Sequence, residues 1–308
     1  MSDEVGYLGP GTVSWGYIAA EKYFNGQDVK FTTLKTHPDI CKAVAEEKIS
    51  LGVVAVENVL DGVISETVRA VKELHEDGIR ICGEIEIPIR HFLFRNPNND
   101  GAVKIVASHQ SAIRQCSRVM GQLRQLGITT QAVDTTAAAA ELSSKNPEYL
   151  AICSDKAEGE FGLVRTIKIG QTSLKNPWER PERFLVSEDH IGDNYCNFTR
   201  FWVVGTKKTT STGKDKTCFL VGLDQSVSGG LCKVLRCFAE RKLNLLIVLP
   251  IPIFGRKWEY NFLLEYSGHI RDQVMQDAYE ELKGCGACID GPTVFGSYPV
   301  GSYPGILS

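Results

Sequence analysis

The sequence predicts an α/β protein that ends in a separate ferredoxin-like βαββαβ module. Three observations carry that reading. Short apolar runs alternate with segments of helical period from the N-terminus to about residue 165. A polar Thr/Gly/Ser/Lys stretch, GTKKTTSTGKDK at 205–216, then interrupts the pattern as a linker would. Beyond it the order strand, helix, strand, strand, helix, strand fills the rest of the chain. At 308 residues the chain is long enough for two domains of ~150 residues each.

Taken in order, residues 5–9 read as a strand and 14–24 as a helix with Trp15, Ile18, Ala19 and Tyr23 on one face. Residues 51–56 are almost continuously apolar, as expected of a strand buried on both faces. A similar strand at 104–107 leads through Ser108 into a helix over 110–126, carrying Ile113, Cys116, Val119, Met120 and Leu123 and stopped at Gly127. Residues 149–153 repeat the strand pattern before a short acidic helix that ends at Gly162. After the linker come a strand at 217–223 and a helix bearing Leu231, Val234, Leu235, Phe238 and Ala239 at helical spacing. Strands at 245–250 and 258–266, a helix at 271–283 and a strand at 288–295 complete the module, and 299–308 reads as an irregular tail.

Composition narrows the function. The 34 Lys and Arg against 37 Asp and Glu give a net charge of −3, without the basic footprint of a nucleic-acid or anionic-membrane binder. A small-molecule substrate is expected instead. No run approaches ~20 apolar residues, and the acidic start MSDE is not a signal-peptide n-region. The expected location is the cytoplasm, or a plastid-like compartment if a transit peptide has been removed. The ten cysteines are scattered through apolar runs and most of them read as buried thiols, and the lone CxxC of Cys285 and Cys288 reads as structural. Histidines 37, 75, 91, 190 and 269 show no metal spacing, and no phosphate loop of the GxGxxG or Walker kind occurs. Neither metal nor cofactor is expected.

Ligands of open α/β sheets bind beyond the carboxyl ends of the strands, against helix N-termini. Four polar clusters fall at such places. GPGTVS at 9–14 is a tight turn feeding a helix and supplies Thr12 and Ser14. Glu57 and Asn58 follow the buried strand directly. Ser108 and His109 open the next helix, with Gln115 about two turns on; Ser14 and Ser108 also suit ordinary N-caps, and His109 a cleft-wall or capping residue. In NFTRF at 197–201, strand alternation puts Asn197, Thr199 and Phe201 on one side and Arg200 on the other.

Together these segments resemble the prephenate dehydratase family over nearly the whole chain. LGPGTVSWGYIAA, VVAVENVLDGVISET, EIPIRHFLF, VASHQSAIRQC, DTTAAAAEL and IGDNYCNFTRFWVVG follow the family's order, and GGLCKVLRCFAERKLNL, WEYNFLLEYSGH and VFGSYP fall where an ACT domain has its landmarks. The resemblance implies a catalytic domain of two periplasmic-binding-protein-like lobes over 1–204 with the site between them, a linker over 205–216 and an ACT domain over 217–298. It implies loss of CO₂ and water from prephenate to give phenylpyruvate, in L-phenylalanine biosynthesis. Thr199 matches the family's critical threonine and is expected to hydrogen-bond or protonate the leaving hydroxyl. Thr12, Ser14, Asn58, Ser108, Gln115, Asn197 and Phe201 are expected to bind substrate. Glu57 is assigned to orientation. Arg200 is placed either on a substrate carboxylate or on a structural partner, its facing favouring the latter. An amino-acid effector is expected near Gly229, Gly230, Leu231, Asn244 and Leu245, and the chain is expected to form a homodimer or homotetramer.

Four departures from the family pattern accompany the match. The opening turn is one residue shorter, Ala55 and Val59 replace Pro and Ser, and the connection over 164–190, with QTSLKNPWER inside it, is about twice the expected length. Leu249-Pro250-Ile251-Pro252 replaces a charged ESRP, so the response to phenylalanine is expected to be weakened or altered. These departures leave two alternatives: a decarboxylase that keeps the hydroxyl and yields a non-aromatic product, and an inactive sensor of the same fold.

Overall fold

A computed structural model describes residues 3–98, 103–169, 172–174 and 189–301. The chain begins β1 (Asp3–Leu8), α1 (Trp15–Tyr23), β2 (Val29–Leu34), α2 (His37–Ala45), β3 (Leu51–Asn58), β4 (Gly62–Val63), α3 (Ser65–Glu73) and β5 (Arg80–Pro88). It crosses into a second lobe of β6 (Phe92–Arg95), β7 (Ile105–Ser108), α4 (Gln110–Gln115), α5 (Ser117–Gln125), β8 (Thr129–Ala132), α6 (Thr136–Lys145), β9 (Tyr149–Cys153), α7 (Ala157–Phe161) and β10 (Val164–Arg165). A small hairpin follows, β11 (Lys168–Ile169) with β12 (Thr172–Ser173), and the chain returns to the first lobe as β13 (Phe198–Gly205). Then come β14 (Asp215–Leu223), α8 (Gly230–Ala239), β15 (Leu245–Pro252), β16 (Tyr260–Ser267), α9 (Gln273–Gly284) and β17 (Cys288–Pro299).

Among the described residues the first lobe orders its strands β2-β1-β3-β13-β5, with β4 on β3, and the second orders them β10-β6-β9-β7-β8. The first three strands are parallel, but β13 lies antiparallel between β3 and β5. This late strand is buried throughout because it occupies the sheet's interior. The two crossings between lobes hydrogen-bond to each other, Ile89 N to Asn197 O at 2.8 Å and Ile191 N to His91 O at 2.9 Å. The site therefore sits over a double-stranded hinge.

The C-terminal module has the βαββαβ order and an antiparallel sheet, β15-β16-β14-β17. Its sheet shares a core with the first lobe: Leu220, Leu263, Phe295 and Tyr298 cluster with Ile79, Ile81, Trp202 and Val204. Gly296 makes this approach possible, because a Cβ there would lie 2.1 Å from the Ile81 carbonyl oxygen on β5. The linker is shorter than 205–216, since β13 runs to Gly205 and β14 begins at Asp215, whose carboxylate accepts from the Thr212 and Gly213 amides at 2.7 and 3.0 Å.

Two further differences have local causes. The helix expected over 110–126 breaks at Cys116, where the Asp193 carboxylate caps the second half by accepting from Ser117 N and Arg118 N at 2.6 and 3.2 Å. The last strand extends to Pro299, and Val300 N then donates to Lys214 O at 2.9 Å, so the tail starts in ordered contact. The long connection is pinned at both described ends, Arg165 meeting Asp189 at 3.2 Å and stacking over Phe92. Apart from Thr172–Leu174, QTSLKNPWER lies outside the described residues, as do 302–308.

Candidate functional site

A cavity of about 380 Å³ opens between the two lobes. Its wall collects the first turns of four helices of nine or ten residues: Trp15 of α1, His37 of α2, Glu66 of α3 and Thr136 of α6. Ser14 and Thr135 cap α1 and α6 by accepting from Tyr17 N and Ala138 N at 3.2 and 2.9 Å, whereas α3 has no side-chain cap. Each N-terminus carries unsatisfied N–H groups and a partial positive charge. Among the described residues no Lys or Arg lines this cavity. Any anion held here is held by helix dipoles and neutral donors.

On the floor, Asn58 lies at the end of β3 opposite Thr199 of β13. The Asn58 Oδ1 accepts from Leu60 N and Asp61 N at 2.9 and 3.0 Å, so its amide is fixed end for end. Its Nδ2 therefore faces Asn197 Oδ1 at 2.9 Å, Phe198 O at 3.1 Å and Thr199 Oγ1 at 2.9 Å. Because Thr199 accepts from an N–H, its own hydroxyl proton points elsewhere, and Thr199 and Phe201 are on the cavity wall. The arrangement leaves the Thr199 hydroxyl proton free to donate to a ligand in the cavity.

Gln115 of α4 ties the lobes together across this floor. Its Oε1 accepts from Asn197 Nδ2 and from His91 Nε2, each at 2.8 Å, and its Nε2 donates to Asp61 Oδ2 at 2.9 Å. An amide oxygen only accepts, so His91 carries its proton on Nε2 and leaves Nδ1 as a lone pair. Burial lowers the His91 pKa and takes that of His37 down to about 4, so both rings are neutral near pH 7. The Nδ1 atoms of both are buried, with no hydrogen-bond partner among the described residues.

Ser14, Asn58, Gln115, Asn197, Thr199 and Phe201 thus come together, and four expected substrate contacts do not. Thr12 gives its hydroxyl to Glu160 Oε2 of α7 at 2.6 Å, the shortened turn carrying it onto the opposite lobe's surface. Ser108 is the last residue of β7; its hydroxyl is fully buried and spent on Ile152 O at 2.6 Å. His109 is the residue that caps α4 and faces the cavity. Glu57 and Arg200 point through the other face of the sheet, where strand alternation sends them, and Arg200 Nη2 donates to Glu57 Oε2 at 3.1 Å.

The expected effector residues are not one site within a single chain. Gly229, at φ +70°, caps α8 beside the end of β14, with Gly230 and Leu231 following. Asn244 accepts from Ser267 N at 3.0 Å, and Ser267 pairs with Lys216 at the start of β14, where Leu245 also lies. The length of β14 separates the groups by roughly 20 Å.

The sequence patterns do not mark His91, His37, Asp61 or Trp15 as site residues: Trp15 reads as part of an apolar helix face and the two histidines as lacking metal spacing. Asp61 had a usable signal, three residues after Asn58 on the same turn, whereas His91 and His37 resemble ordinary buried histidines until the lobes close on them. Among the described residues no group of three or more His, Cys, Asp or Glu side chains is placed to hold a metal ion, and no helix is long and apolar enough to cross a membrane.

Comparison with known proteins agrees with this fold. Residues 5–186 match the family model described as prephenate dehydratase. The chain is 29% identical over 296 residues to the bifunctional chorismate mutase/prephenate dehydratase of Aquifex aeolicus, spanning 96% of this chain and 73% of that one. The crystal structure of prephenate dehydratase from Arthrobacter aurescens in complex with L-Phe superposes with a TM-score of 0.77 at 25% identity, covering 96% of this chain and 90% of that one. GqqA, a quorum-quenching acylase, superposes with a TM-score of 0.75 at 21% identity over 96% of this chain and 98% of its own, which shows the shared fold alone.

Proposed function

This chain belongs to the prephenate dehydratase family, and from that premise we propose that the interlobe cavity converts prephenate to phenylpyruvate, with Thr199 as the donor to the leaving hydroxyl. The observation that carries the reading is the Asn58–Thr199 hydrogen bond, which leaves the threonine proton directed at the ligand space. Aromatisation of the ring supplies the driving force, so the protein needs position and polarity, not a covalent intermediate.

The C–C bond to the ring carboxylate breaks, releasing CO₂ and leaving its electron pair as ring π density, while the C–O bond to the 4-hydroxyl breaks. The oxygen departs with that bond's electrons as hydroxide and takes a proton from solvent to become water. A threonine is too weak an acid to give up its proton outright. It stabilises developing negative charge on the departing oxygen through a positioned hydrogen bond, as an oxyanion donor does. The dianionic substrate is held by the N-termini of α1, α2, α3 and α6, with Gln115 and Asn197 fixing the floor beneath it. Helix ends hold a carboxylate less tightly than a buried Arg fork would, and a carboxylate about to leave is best left weakly stabilised.

Substrate contacts by Ser14, Asn58, Gln115, Asn197 and Phe201 follow from this reading. Assembly is part of it too: the two groups of effector residues come together only if a second copy is supplied, and the exposed edge β15, with Leu246 and Val248 outward, suits such pairing. A cytoplasmic location accords with the small-molecule chemistry.

The test is to incubate the protein with prephenate at neutral pH beside an enzyme-free control and read products by proton NMR. Phenylpyruvate formed faster than in the control, and lost in Thr199→Ala, supports the reading. A decarboxylated product that retains vinyl protons replaces it with the non-aromatising reaction. Thermal stabilisation by prephenate without turnover reduces the chain to a binding protein.

A further inference from the structure

Successive side chains of β13 leave opposite faces of the sheet, so the residue after Thr199 faces the C-terminal module. That residue is Arg200, only 7% exposed. Its Nη1 donates to both oxygens of Glu265 at 2.8 and 2.7 Å and lies 3.5 Å from Glu84 Oε2, while its Nη2 donates to Glu57. Glu265 belongs to β16 of the module and is fully buried, and the Tyr298 hydroxyl of β17 donates to its Oε1 at 2.9 Å. A second ion pair runs the other way, from Lys216 of the module to Glu84 of β5 at 2.6 Å.

Burial works against the Arg200 charge, but the surrounding carboxylates outweigh it and raise its pKa. Across the sheet Arg200 pairs in register with Glu57 on β3 and Glu86 on β5, and Glu86 is held above the usual carboxylate range by burial and by Glu84. The register shifts between Arg200 and Phe201. A buried ion pair is a poor device for adding stability and a better one for fixing a unique arrangement.

We propose that Glu265 of the C-terminal module is a positioning residue for Thr199, fixing Arg200 and, through the strand backbone they share, the hydroxyl on the opposite face. The inference rests on the reading of Thr199 given above. It makes the module part of the catalytic lobe's working geometry, because one of the groups that aims the threonine belongs to the module. A misplacement of about 1 Å can cost about a hundredfold in rate, so a small tilt at Arg200 is enough to matter.

The experiment uses the full chain with Glu265→Gln, which keeps the shape and removes the charge. The expected result is a fall in kcat of about 10- to 100-fold with KM within about twofold of the parent, since a misaimed donor is felt mainly in the transition state. Tyr298→Phe, which removes one supporting hydrogen bond, should lower kcat in the same direction by a few-fold. Leu263→Ala lies two residues earlier on β16 in the shared apolar core. It should lower Tm and leave kcat near the parent. A folded Glu265→Gln with parental kcat overturns the inference, as does Leu263→Ala lowering kcat equally. If Glu265→Gln fails to fold, Tyr298→Phe decides, parental kcat being the negative result. Thr199→Ala is measured in parallel. If it stays active, the reading of Thr199 fails; if it is inactive beside an unimpaired Glu265→Gln, only the inference about Glu265 fails.

Discussion

Asn58→Asp changes one NH₂ to an oxygen and reverses the direction of the hydrogen bond that defines Thr199. The Oδ1 bonds to Leu60 N and Asp61 N survive the change, so the turn should still form. The new oxygen faces Asn197 Oδ1 and Phe198 O at 2.9 and 3.1 Å, both acceptors. Asn197 cannot turn its amide to help without giving up its bond to Gln115 Oε1. The favourable response is for the Thr199 hydroxyl to donate into the carboxylate, which removes it as a donor to the substrate. Losing one positioned donor costs about 10²–10³ in kcat, or about 3–4 kcal/mol. Stability should fall by about 1–3 kcal/mol for the acceptors left unpaired. Burial and the facing oxygens should raise the pKa of the introduced carboxyl above the usual carboxylate range. The folded state then binds this proton more readily than the unfolded state, so the penalty is present above the folded pKa and is relieved as pH falls through it. Once protonated, the introduced carboxyl also restores an O–H donor to Thr199. The variant's kcat should therefore rise from neutral toward pH about 5, measured by phenylpyruvate formation with the acid-catalysed background subtracted. Parental kcat at neutral pH, or a loss with no recovery in acid, would refute the donor assignment.

Three further outcomes are expected. Urea midpoints should drop as pH falls from about 6.5 to about 4, because His37 is buried neutral and takes its proton only on unfolding; its share is worth about 3 kcal/mol, and His37→Gln should remove that share while the burial-lowered His91 and His190 keep the rest of the slope. Gly296→Ala drives a methyl into the Ile81 carbonyl, so β17 must move off β5; a loss of several kcal/mol by denaturant titration is expected, and an unchanged midpoint would disprove the close packing. Phenylalanine should inhibit weakly, because Leu249–Pro252 offers no charged partner for an ammonium or carboxylate group; strong inhibition at micromolar concentration would contradict this.

What the sequence revealed and what it concealed divide along one physical line. Strand alternation was legible, so NFTRF already placed Thr199 and Phe201 opposite Arg200, and the folded strand follows that facing. Boundaries set by distant partners were not: the helix break at Cys116 depends on Asp193, 76 residues along the chain from the Ser117 amide it caps. The fate of a hydroxyl was equally hidden. Ser14 and Ser108 look alike before a helix, yet one caps α1 on the cavity wall while the other is consumed by Ile152 O, because Ser108 still belongs to its strand. Charge told least of all. A site for a dianion suggests arginine, and the nearest one in the motif is Arg200, but the wall of the cavity has helix ends in place of cations and Arg200 is turned toward the module. Binding and strand placement are thereby assigned to different faces of one sheet. An arginine in the cavity would hold the departing carboxylate too firmly, whereas behind the sheet the same group can fix the threonine without touching the substrate.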